Sequence, residues 1–159
     1  MGVQVIAYSN SHSVLPRLKT AMAALVLIMS GLGGIAEHVQ AGEPIQQIRF
    51  ARGASSAEVT GSVIRGERAL YRFDARAGQT ATLQLSALED NAAFQIYVPG
   101  AKPEIQDSIL EVRGDALPGA AEGDDAAEWK GTLPGSGGYL LVIGPTRGNA
   151  EYKLKITIR

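Results

Sequence analysis

From residue 42 onward, apolar and polar positions alternate in short runs. In the terminal stretch Tyr152, Leu154, Ile156 and Ile158 fall on one side and Lys153, Lys155, Thr157 and Arg159 on the other. That period of two gives a strand one buried face. The same pattern recurs in "TATLQLSAL", where Ala81, Leu83, Leu85 and Ala87 alternate with Thr82, Gln84 and Ser86, and again through Phe94, Ile96 and Val98. An uninterrupted apolar run from Tyr139 to Ile143 predicts another strand, and weaker patterns predict strands over 45–50, 58–64, 69–74, 109–113 and 129–133. Chain-breaking pairs separate them, at Arg52-Gly53, Arg65-Gly66, Ala77-Gly78, Pro99-Gly100, Pro118-Gly119 and Pro134-Gly135. With no strong helical period in this part of the chain, the expected fold is all-β, an antiparallel sandwich of about eight aligned strands. Residues 102–128, rich in Gly, Ala, Pro and acidic side chains, are expected to form a long flexible loop around the single strand 109–113.

The first forty residues follow a different rule. Arg17 and Lys19 precede the uncharged run "TAMAALVLIMSGLGGIA", which ends in small residues before "VQAGEP". A run this short is near the lower limit of roughly 17 apolar residues for a membrane span. Its glycines and the small residues around Ala41 favour a cleaved signal peptide over 1–41 instead, leaving 42–159 as a single β-sandwich domain with no stable membrane anchor.

Cleavage there changes the chemistry on offer. The 159-residue chain has no cysteine, and its two histidines, His12 and His38, both lie in the presequence. A mature chain without His or Cys cannot run Ser-His-Asp or Cys-His catalysis or hold zinc through those ligands. From Gly42 onward, 13 Lys and Arg stand against 15 Asp and Glu, a net charge of −2, which does not favour nucleic acid. Two carboxylates would suffice for glycoside hydrolysis, but among Asp74, Glu89, Asp90, Asp107 and Glu111 no motif singles out a pair. Glu122, Asp124, Asp125 and Glu128 lack the spacing of a calcium loop and read as solvated acids. The chain is therefore expected to be no enzyme and to need no cofactor or metal.

Two loops stand out. "LPGSGGY" sets Ser136 among Pro134, Gly135, Gly137 and Gly138 immediately before a strand; it is either a plain hairpin turn or a projecting tip. Beyond that strand, "GPTRGN" carries Arg147 as its only charge. A loop at each end of one strand puts Ser136 and Arg147 far apart unless the sheet curves.

The segments Arg52 to Ala57 ("RGASSA"), Tyr71 to Gln79 ("YRFDARAGQ"), Leu133 to Tyr139, Thr146 to Ala150 and Tyr152 to Leu154 together resemble the periplasmic inhibitors of g-type lysozyme, over most of the mature chain. The hairpin and the terminal Y-x-L are shared with the wider group of bacterial pre-peptidase C-terminal sandwich domains; the S-G-x-Y loop is the narrower signal. The resemblance implies a secreted or periplasmic inhibitor whose Ser136, Gly137 and Tyr139 enter or cap a lysozyme's glycan cleft, with Arg147 contributing and Tyr139 supplying apolar contact; on the residues alone Tyr139 is equally a core strand residue and Arg147 a solvated turn charge. A non-inhibitory envelope-binding or accessory module is the alternative that the wider group implies. The chain departs from the family pattern by lacking a second basic residue after Arg147, where Asn149, Ala150 and Glu151 lead straight into Tyr152, and by the length of residues 102–128.

Overall fold

The computed structural model describes residues 44–159, so the expected signal peptide lies outside the described residues. Ten strands follow in order: β1 (Gln46–Gln47), β2 (Ser56–Val63), β3 (Ala69–Ala75), β4 (Thr80–Ala87), β5 (Ala92–Tyr97), β6 (Lys102–Gln106), β7 (Ile109–Arg113), β8 (Glu128–Thr132), β9 (Gly137–Pro145) and β10 (Ala150–Ile158). There is no helix among the described residues. Eight strands form the expected sandwich, as two four-stranded sheets ordered β1-β3-β9-β5 and β2-β10-β4-β8. All neighbours within them are antiparallel except β1, which runs parallel to β3. The strand expected over 45–50 is cut to two residues, after which Ile48 turns its side chain into the core and donates its amide to Arg72 O at 2.8 Å.

Alternation decides which residues meet in the middle. β10 sits between β2 and β4 with Leu154 opposite Val59 and Leu85, and Ile156 opposite Ala57 and Leu83. From the other sheet Tyr71, Phe73, Leu141, Ile143, Phe94 and Ile96 close the same core. Two tyrosines bridge the layers: the Tyr71 and Tyr152 hydroxyls lie 2.7 Å apart, both residues buried. Gly61, opposite Tyr152, has to be glycine, because a Cβ there would stand 2.5 Å from the Tyr152 hydroxyl.

The unbroken apolar run of β9 has a separate cause. Tyr139, Leu141 and Ile143 face the core, while Leu140 and Val142 face outward and are nevertheless buried. What covers them is the hairpin β6–β7, a third small sheet that packs Leu110 and Val112 with Tyr97 and Ala101 over this outer face. A strand buried on both faces reads as continuous rather than alternating.

The expected flexible loop over 102–128 is therefore corrected. Its first part is the β6–β7 hairpin, turned by Asp107 and Ser108 at φ of 51° and 66°. Its remainder is tied to β5: Leu117 N–H donates to Ile96 O at 2.8 Å, Ile96 N–H to Ala120 O at 2.9 Å and Phe94 N–H to Ala126 O at 2.8 Å. Leu117, Ala120 and Ala126 are buried. These contacts order the segment and blunt the β5 edge, which would otherwise expose unpaired backbone.

Candidate functional site

The Ser136 turn is built by the strands on either side of it. Leu133, buried at the end of β8, donates its amide to Gln79 O and accepts from Gly78 N–H, which fastens the turn to the β3–β4 connection. Beneath the turn the Tyr139 ring is fully buried and stacked on Phe73, centroids 5.3 Å apart and planes 10° off parallel. Its hydroxyl donates to Gly135 O at 2.7 Å and accepts from Gly135 N–H at 3.0 Å, so one side chain holds both polar groups of one peptide residue. Ser136 is exposed, and its Oγ accepts from Ala77 N–H at 2.9 Å. Gly137 sits at φ +137°, and a Cβ on it would come within 3.0 Å of Pro99. A side chain there would strain the backbone and push on the proline.

The Arg147 turn is held differently. Arg147 is exposed, and its guanidinium donates to Glu89 O at 2.6 Å. Asn91, 3% exposed, donates its amide to Arg147 O at 3.2 Å and to Asn149 O at 2.8 Å, while its own carbonyl accepts from Thr146 N–H. The turn therefore rests on the β4–β5 connection.

Of the four residues singled out in the sequence, Ser136 and Gly137 form the tip, Tyr139 lies under it and Arg147 stands at the other end of β9. A nine-residue strand spans about 30 Å, so Arg147 shares no small site with Ser136. Between the two readings of Tyr139, core residue and apolar contact, the structure has the ring at 0% exposure, where it offers a partner no surface. Its place in the core follows from the alternation of β9, which turns 139, 141 and 143 to one side. Asn91 is the anchoring residue that sequence reasoning missed; an Asn beside the exposed Leu88, Glu89 and Asp90 carries the signal of a turn, not of a buried amide.

The carboxylates do not assemble. Asp74 accepts from Gln47 Nε2 at 3.2 Å, and Asp124 accepts from Ala121 N–H at 2.8 Å within its own turn. Glu111 and Glu122 line one cleft of about 330 Å³ with Arg68 and Tyr97, and both are exposed. Among the described residues no group of three or more His, Cys, Asp or Glu converges as a metal site.

With this geometry, solved structures resemble the chain along its folded length. Aeromonas hydrophila PliG, a periplasmic lysozyme inhibitor of g-type lysozyme, shares 28% identity at a TM-score of 0.54, over 74% of this chain and 100% of that one. The sequence resemblance extends to the fold. Salmonella Typhimurium PliG, of the same description, shares 25% identity at a TM-score of 0.52, over 74% of this chain and 99% of that one. A pre-peptidase C-terminal domain of Bacillus anthracis collagenase shares 15% identity at a TM-score of 0.44. No family model matches the chain, and no curated protein does.

Proposed function

We propose that the chain is an exported inhibitor of lysozyme, g-type in the first instance, that works by occlusion. Residues 1–41 act as its signal peptide and residues 42–159 as the working domain. The observation that carries the reading is the Ser136 turn: an exposed, uncharged, narrow tip, fixed from below by Tyr139 and from the side by Ala77. A sugar cleft admits such a tip, and a tip that is already ordered loses little freedom on entering it. Ser136 and Gly137 make the contact in this reading, and Tyr139 acts by positioning them. The likeness to two PliG structures at 28% and 25% identity over nearly their whole length supports the same target class.

The test uses protein recovered from the periplasm of cells expressing the full chain. It should slow lysis of cell walls by a g-type lysozyme at equimolar dose, and its first residue should be Gly42. Ser136→Trp should raise the inhibition constant at least tenfold with the melting temperature unchanged. Normal lysis by g-, c- and i-type enzymes in the presence of the wild-type protein would sink the reading.

A further inference from the structure

The pairing of β3 with β9 runs from Ala69 opposite Ile143 to Ala75 opposite Gly137. One step further sets Arg76 opposite Ser136, and the bond from Ala77 N–H to Ser136 Oγ shows that the two chains still run side by side there. Arg76 is exposed, and its backbone amide donates to Gln79 Oε1 at 2.7 Å, which steadies the turn that carries it. Behind it on the same outer face lies Arg72. The Arg72 Cδ sits where a Cβ on Gly138 would come within 2.9 Å, so the third glycine of the loop makes room for an arginine stem. The Arg72 Nε is buried and has no partner among the described residues.

The topology gathers more charge at the same end. β1 ends and β2 begins there, which brings Arg49 and Arg52; β10 ends there with Arg159, whose carbonyl accepts from Thr80 N–H. Against these five arginines stand Asp74 and, beside Val98, Asp115. The ion pairs among the described residues, Arg113–Glu104 and Lys153–Glu58, use none of the five. The connections at the opposite end hold Arg65, Arg68 and Arg147 against Glu67, Glu89 and Asp90, and Glu151 follows at the start of β10. One pole of the sandwich is basic and the other is not.

We infer that Arg76, with Arg72 behind it, is the cation that accompanies the Ser136 tip into an acidic cleft. The inference rests on the proposed inhibition and names the chemistry of the partner: a carboxylate on or beside the cleft's floor, met by a charge-assisted bond. Arg72, in β3, and Arg76, just after it, fall on variable positions of the Y-x-F and A-x-x-G-Q segments, so the motifs themselves do not mark them. The remaining arginines of this pole steer encounter with an acidic surface.

Inhibition of a g-type lysozyme by wild type, Arg76→Ala, Arg76→Glu, Arg76→Lys and Arg147→Glu, each at low and at physiological salt, tests this. Arg76→Glu is expected to weaken inhibition about 30-fold or more, Arg76→Lys to retain more of it than Arg76→Ala, and Arg147→Glu to stay within about threefold of wild type. The wild-type constant should weaken with salt, and that dependence should shrink in Arg76→Ala. Wild-type inhibition that Arg147→Glu abolishes and Arg76→Glu leaves intact overturns the inference while keeping the function. Absence of inhibition by wild type overturns the function, and the inference falls with it. Arg76 is exposed, so the melting temperature of its variants should match wild type and remove misfolding as an explanation.

Discussion

At the Ser136 end of β9 the polar groups that hold the turn come from below and from the side, and the tip itself is left facing water. At the Arg147 end the relation is reversed. The buried Asn91 amide holds the carbonyls of Arg147 and Asn149, and the one charged side chain of the turn folds back onto Glu89 O. Both ends use a glycine-containing connection into or out of the same central strand. The difference is where the support comes from: a turn propped from underneath presents its tip, whereas a turn whose own polar groups are engaged with its neighbour closes the end of the sandwich. Substitutions at the two ends should therefore separate, the first set acting on binding and the second on stability.

The largest expected effect is on stability at the Arg147 end. Asn91→Ala removes a buried amide together with its two hydrogen bonds, each worth about 0.5–1.5 kcal/mol, and leaves a space where the side chain packed. Chemical denaturation should show a loss of about 2–4 kcal/mol, while the fraction that remains folded should inhibit as wild type does. Lost inhibition at unchanged stability would break the contrast between the two ends.

Between the ends, the tyrosine pair sharpens it. Burial first, and then the hydrogen bond with Tyr71, hold the Tyr152 hydroxyl well above the ordinary tyrosine value of 10.0. Folded Tyr152 therefore keeps its proton at a pH where the unfolded chain gives it up. The unfolded state then binds fewer protons, and stability falls as pH rises above about 10, by up to about 1.4 kcal/mol per pH unit for this group. Tyr97, raised by burial and by Glu122, acts in the same direction, so the effect of Tyr152 is the difference between wild type and Tyr152→Phe. At neutral pH each single Phe variant should cost about 1 kcal/mol, and the double variant Tyr71→Phe with Tyr152→Phe less than the sum, since it strands no hydroxyl. An alkaline limb of equal steepness in wild type and Tyr152→Phe would show that the pair is not what resists ionisation.

The core of the sandwich was legible because alternation is a local property: Tyr152, Leu154, Ile156 and Ile158 announce their face without reference to anything else in the chain. Of the third layer only β7 was, as the strand expected over 109–113. β6 reads "KPEIQ", with a proline and two charged or amide ends, and its partner is reached through Asp107 and Ser108, which take positive φ without the glycine that usually marks a two-residue hairpin turn. The evidence for that layer stood elsewhere in the chain, in Leu140 and Val142, whose outward apolar side chains required a cover. At the loop, composition left two pairs of readings open, plain turn or tip for Ser136 and core or contact for Tyr139. A tyrosine at a strand's first apolar position suits a core and an interface equally, and only the register against Phe73 decides between them. Arg76 was passed over for the same reason, because it becomes a neighbour of Ser136 only through the pairing of β3 with β9.

Tyr139→Phe carries the smallest expected effect and bears most directly on how the tip is held. The substitution keeps the ring, its stacking on Phe73 and nearly all of its buried volume, and removes only the hydroxyl that grips Gly135 from both sides. Gly135 is part-exposed, so water can take over its two bonds and the cost in stability should be about 1 kcal/mol. Inhibition should nevertheless weaken about fivefold, because a turn that is no longer fixed must be ordered when it binds. Amide exchange at Gly135 distinguishes this from loss of a direct contact. If Tyr139 acts by positioning, that amide exchanges faster in the free variant than in wild type, whereas weakened inhibition with exchange at Gly135 unchanged would mean that the hydroxyl meets the enzyme itself and that the tip opens on binding to let it do so.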